Sequence, residues 1–225
     1  MTISITLYII IITSLISIWG FNNEHVIDRL IFYPPAVTEN KEYYRFFTCG
    51  LIHKDIPHLI FNMYAFFLFG QGQTKEGTEY MFGYVFDDKG KWLYLVMYVL
   101  ALAVCLIPTF FKHKANRYYR SLGASGAVSA VVFAYITLDP LRGVGLIFIP
   151  VFIPGFLFGI LYLVISYFFS KKSGSHINHS AHIWGALFGI VFLIITSKLF
   201  SGYPVLENLI DAIKNFQLKN LFQTN

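Results

Sequence analysis

Three short polar clusters interrupt otherwise apolar stretches of this 225-residue chain, and their side chains are the types that acyl transfer requires. Ser125 stands between Gly123 and Gly126, His182 follows His176 and His179, and His58 and Asn62 lie four residues apart on one helix face. A serine hydroxyl is a weak nucleophile until an imidazole takes its proton. The tetrahedral oxyanion that follows needs preorganised donors such as an amide, a ring N–H or a backbone N–H. Gly123 and Gly126 let a loop turn sharply into a helix and let a substrate backbone approach the hydroxyl. Each residue also has a plainer reading: a small helix-pair residue for Ser125, an interfacial histidine for His182, interhelical glue for Asn62 and a structural imidazole for His58. His176, His179 and His182 raise a metal site, but the set mixes a loop with a helix and brings no carboxylate, so no metal and no cofactor is expected.

Hydropathy sets the elements that must hold these clusters. Hydrophobic residues make up 56% of the chain and charged residues 13%, against about a quarter charged in soluble domains. Windows free of Asp, Glu, Lys and Arg run over 1–23, 56–74, 92–111, 121–138, 143–170 and 173–197. Each approximates the ~20 residues a helix needs to cross ~30 Å of hydrocarbon. The expectation is an all-α membrane protein, a bundle of six transmembrane helices over 1–200, followed by an amphipathic tail over 201–225. In that tail Leu206, Leu209, Ile210, Ile213 and Phe216 recur at helical spacing opposite Glu207, Asp211 and Lys214. The first window has no basic start and no small-residue cleavage site, so it is expected to be retained. In the fifth, Pro150 and Pro154 keep the chain extended or kinked to about Gly155, with a helix from there to Phe169. The even-numbered helices all start from one side. Polar clusters within two turns of those starts therefore fall at similar depth in one leaflet. Small residues at Gly126, Ala130 and Ala134, and at Gly185 and Gly189, let two of these helices approach closely.

The net charge of +5 is dispersed over loops and tail, which argues against a nucleic-acid partner. Cys49 and Cys105 lie far apart in the chain, and no disulfide is expected. The odd-numbered connections carry Arg29, Lys41, Arg45, Lys54, Lys112, Lys114, Arg117, Arg120, Lys171 and Lys172, ten of 17 Lys and Arg. Positive-inside counting places that side in the cytoplasm.

H-L-I-F-N at His58–Asn62, G-A-S-G at Gly123–Gly126 and A-H-I-W-G-A-L-F-G at Ala181–Gly189, in that order on alternate helices, resemble the rhomboid intramembrane proteases. The resemblance covers about Tyr43 to Phe192. It implies Ser125 as nucleophile, His182 as general base without a third acid, and His58 and Asn62 as oxyanion-hole partners. It implies substrates that are membrane-spanning segments of single-pass or polytopic proteins, met in the lipid bilayer. It also implies a multi-pass protein of the cell's inner or plasma membrane, with its site toward the extracytoplasmic face, against the charge count. Pro140, Pro150 and Pro154 resemble the segment leading into the family's mobile fifth helix, which gates substrate access. There are two departures. Tyr44–Arg45 stands where many members carry Trp-Arg, and Ser129 stands where many place an aromatic against the catalytic histidine, so His182 is expected to be less firmly oriented. A catalytically silent relative that binds membrane proteins is the alternative reading. A small transporter is a third, disfavoured by the lack of repeated halves and of intramembrane acidic residues.

Overall fold

The computed structural model describes residues 3–74, 76–146, 149–170 and 178–217. Helix α1, Ile5–Phe21, starts at Ser4, whose hydroxyl accepts from the Leu7 N–H at 3.2 Å. The connection after it folds into three short helices, α2 (Glu24–Leu30), α3 (Pro34–Glu39) and α4 (Arg45–Thr48). Arg45 organises them. Its buried guanidinium donates to the carbonyls of Asp28 (2.7 Å) and Ile31 (2.8 Å) and pairs with Glu42 at 2.5 Å. Next to Ile31, Phe32 exchanges backbone hydrogen bonds with Ser121, at 3.0 and 3.1 Å. The connection is thereby pinned to the loop that leads into Ser125.

Helix α5 (Ile56–Phe66) begins at Asp55, which accepts from the His58 N–H at 2.8 Å, and runs into a π-helical turn over Phe67–Gln71. The polar connection that follows holds α6, Thr78–Phe86. Glu79 on α6 is buried, and its carboxylate accepts from the N–H groups of Ile5 and Thr6, each at 2.9 Å. A carboxylate at the positive end of α1 satisfies donors the helix itself leaves unused. Asp87 (φ 51°, ψ −131°) then breaks the chain direction before α7, Gly90–Val104, and α8, Ile107–His113. Thr78–His113 and His179–Phe200 are long and apolar enough to cross a membrane, but the turn at Asp87 makes Gly90 the start of the apolar part of the first, α7 followed by α8.

Helix α9, Ser125–Leu138, is the centre of the molecule, with every residue from Gly126 to Thr137 buried. An antiparallel pair of strands follows, β1 (Gly143–Leu146) and β2 (Ile149–Pro154), and then α10, Gly155–Ser170. The strands depart from the all-α expectation. Pro150 and Pro154 have no N–H to donate to a helix, and the β-branched residues among them suit an extended ribbon. The start of α10 is tied to this connection: Gly155 N–H donates to the Arg142 carbonyl and Phe156 N–H to that of Pro140, both at 2.9 Å. Arg142 in turn pairs with Glu76. Helix α11, His179–Phe200, packs along α9, and α12, Val205–Lys214, closes the described chain with an amphipathic helix. Outward faces carry exposed Ile11, Leu15 and Trp19 on α1 and Trp184, Val191, Ile195 and Leu199 on α11. Apolar surface on that scale marks faces that meet lipid or another protein.

Candidate active site

The nucleophile candidate sits on the first residue of α9 because the loop before it is held on both sides. Gly123 adopts φ 107°, and a Cβ there would meet His58 Cε1 at 2.8 Å, so conformation and space both exclude a side chain. Its N–H donates to the Cys49 carbonyl at 2.9 Å. As the first helical residue, Ser125 has an N–H that the helix ladder does not use.

His182 reaches the same point from the first turn of α11. Asn178 caps that helix by accepting from the Ala181 N–H at 3.1 Å, and its amide bonds the Thr109 hydroxyl at 3.1 Å. His182 Nε2 and Ser125 Oγ are 2.8 Å apart. Among the described residues no carboxylate contacts either nitrogen of His182. The backbones of α9 and α11 touch, since a Cβ on Gly189 would fall into the Ala130 carbonyl and one on Gly185 into that of Gly126.

From α5, His58 and Asn62 face the dyad across a cavity of about 680 Å³ that Ser125, Phe158, Tyr162 and His182 also line. Asn62 is 7% exposed, and its amide donates one N–H to the His58 carbonyl at 3.0 Å, leaving the second N–H for the cavity. The Lys54 N–H lies 3.5 Å from His58 Nδ1, which favours the tautomer with its proton on Nε2, toward Gly123. His176 lies outside the described residues, and among the described residues no three His, Cys, Asp or Glu side chains converge to hold a metal.

Two groups at this site were not anticipated. His53, wholly buried, lies under the nucleophile loop. The Ser17 hydroxyl donates to the Leu51 carbonyl (2.9 Å), so it must accept from His53 Nδ1 (2.9 Å), and His53 Nε2 then faces the Ala124 N–H at 3.5 Å. This wiring needs a neutral ring. Burial pushes the His53 pKa down to about 3, aided by the neighbouring His58 and opposed by Asp55. The unfolded chain therefore binds the proton first as pH falls, so the stabilisation from neutral His53 is complete above ~6.5 and is lost progressively toward 3. We expect acid to destabilise the protein with a slope approaching ~1.4 kcal/mol per pH unit in that window. Unfolding temperatures at pH 7 and 4.5 should diverge less in His53→Asn than in the wild type, and equal divergence would sink the assignment.

The other is Tyr162, on α10. The ring absent from position 129 is supplied from here: Tyr162 stacks on His182 with centroids 6.0 Å apart and planes at 22°, and its hydroxyl is 2.6 Å from Ser129 Oγ. An aromatic ring therefore does lie against His182, from α10 rather than from position 129. Its signal in the sequence was a hydroxyl-bearing ring in mid-window, one turn from Phe158 and one from Ser166.

Residues 40–199 match the family described as Rhomboid domain. The chain is also 31% identical over 148 residues to a mouse (Mus musculus) protein named presenilin-associated rhomboid-like protein, mitochondrial. That match takes in 65% of this chain and 36% of the mouse protein, so the chain spans about a third of its relative's length.

Proposed function

Because this chain belongs to the rhomboid family, and is thus a membrane protein, we propose that it is a multi-pass serine endopeptidase that cuts membrane-spanning segments of other membrane proteins. In this reading the apolar helices α1, α5, α7 with α8, α9, α10 and α11 are six crossings within residues 1–200, the segment from 201 lies on the membrane surface, and the host is the cell's inner or plasma membrane. The observation that carries the reading is the 2.8 Å contact between Ser125 Oγ and His182 Nε2 at the wall of a cavity with amide and imidazole donors opposite.

The reaction follows from those positions. His182 Nε2 takes the Ser125 proton as Oγ attacks the scissile carbonyl, and the oxyanion that forms is met by the Ser125 N–H, the Asn62 amide and His58 Nε2–H. The imidazolium then protonates the leaving amine, and water, activated by the neutral ring, resolves the acyl-enzyme. A helix about 10–12 Å across with its side chains does not enter a cavity of about 680 Å³ whole, so the substrate must unwind locally at the cut.

Asn62→Ala is expected to lower kcat by roughly 10²–10³, the usual cost of one oxyanion donor, with KM little changed. Steady-state cleavage in proteoliposomes reads this directly, and an unchanged kcat would remove Asn62 from the oxyanion hole. The reading as a whole is tested by fluorophosphonate labelling of the purified wild type beside cleavage of a transmembrane substrate. A well-folded protein that neither labels nor cuts would make it a silent membrane-protein binder instead.

A further inference from the structure

The protease reading leaves one question about His182: what fixes the plane of its ring. Ser125 holds Nε2, but among the described residues no acceptor is bonded to Nδ1, so rotation about the last side-chain torsion is resisted by neighbours rather than by a second hydrogen bond. His179 meets the ring edge-on, at 5.5 Å and 70°. Among the described rings only Tyr162 lies nearly parallel to it, in the offset arrangement that aromatic pairs favour.

Tyr162 is itself constrained. Its ring packs against Phe133 (5.6 Å) and Phe158 (6.2 Å). The direction of its hydroxyl bond can be assigned, because Ser129 Oγ donates to the Ser125 carbonyl at 2.8 Å. Ser129 must then accept from Tyr162, which gives a chain from Tyr162 O–H to Ser129 Oγ–H to the Ser125 carbonyl, each link polarising the next. One side chain thus touches the base through its ring and is linked to the backbone of the nucleophile through the Ser129 hydroxyl.

We infer that Tyr162 is a positioning residue that sets the His182 ring from α10, so that the dyad is aligned only while α10 lies against α9. The elements differ in how firmly they are held. Helices α9 and α11 meet backbone to backbone at Gly126 and Gly185 and at Ala130 and Gly189, whereas α10 buries only Gly155, Gly159 and Ser166. Parting the cavity wall by moving α10 therefore withdraws the ring that orients the base.

The inference rests on the protease reading, and the experiment separates the two. Fluorophosphonate labelling rates, kcat and KM would be measured for wild type, Tyr162→Phe, Tyr162→Leu and the exchange Tyr162→Ala with Ser129→Phe, which moves the ring onto α9. Thermal unfolding serves as the check on folding, and the His182 ring proton resonances are followed in parallel. Tyr162→Leu should lose roughly 10- to 100-fold in labelling rate and kcat, as expected for a misplaced catalytic group, with KM unchanged and the His182 resonances shifted. Tyr162→Phe, which loses one hydrogen bond, should lose roughly fivefold at most, and the exchange should recover most of the loss. A folded Tyr162→Leu that labels at the wild-type rate would overturn the inference, as would an exchange as slow as Tyr162→Leu. If the wild type itself does not label, the protease reading fails, and unmoved His182 resonances in Tyr162→Leu would then reject the positioning role on their own.

Discussion

Ser125→Ala and His182→Ala are each expected to abolish fluorophosphonate labelling and substrate cleavage while leaving the fold in place. The loss should be on the order of 10⁶ in kcat, because nucleophile and base act as one unit. For the same reason the double variant should be no worse than either single one. Among the described residues neither substitution breaks a hydrogen bond other than the one between them, since the Ser125 hydroxyl bonds His182 alone there, and both side chains face the cavity, where water can take the vacated place. Unfolding temperature should therefore stay near that of the wild type. Normal turnover by a folded Ser125→Ala protein would refute the mechanism, and retained turnover in His182→Ala would require another base.

The second large effect is structural. A Cβ at Gly189 overlaps the carbonyl of Ala130, a backbone group in the most buried helix of the molecule, so neither side can yield by a rotamer change. Gly189→Val should cost about 3 kcal/mol or more, at the upper end of overpacking penalties, and α11 should lift from α9 and carry His182 away from Ser125. Gly83→Ala is the control, since nothing lies within 4 Å of its added methyl and alanine is the better helix former by up to about 1 kcal/mol. Calorimetry of the two variants in bilayers, with labelling in parallel, should show Gly189→Val strongly destabilised and unlabelled and Gly83→Ala unchanged or stabilised. A Gly189→Val protein as stable as wild type would show that α9 and α11 are not locked at this contact.

The helices of the fold were legible wherever an apolar window was bounded by charge, and local chemistry even placed the start of α10, because Pro150 and Pro154 forbid a helix until Gly155. The same prolines did not reveal that the extended stretch pairs with Gly143–Leu146, since strand pairing depends on a partner rather than on the residues themselves. Helix α6 was hidden by its shortness and by the charged residues on either side of it, and its purpose emerges only from Glu79 meeting residues 73 and 74 positions away. At the site, the order of the polar clusters along alternate helices and the small residues of α9 and α11 made the approach of Ser125 to His182 readable. His53 and Tyr162 were not. His53 lies outside every apolar window, and its partners Ser17 and Ala124 come from distant elements. Position 129 showed that a ring was missing, but nothing local says that the residue 33 positions later returns it.

The bonds from Gly155 and Phe156 to the preceding connection restrict how α10 can travel. While they hold, that end is a pivot, and the helix can only tilt. At about 1.5 Å per residue, Tyr162 sits roughly 10 Å along the lever and Ser170 roughly 22 Å, so the far end swings about twice as far as the ring. An aperture of about 5 Å at Ser170, the spacing of one extended strand beside another, displaces Tyr162 by only about 2 Å. In the proposed protease, admission of a substrate and release of the base would thereby be geared to each other through a single angle.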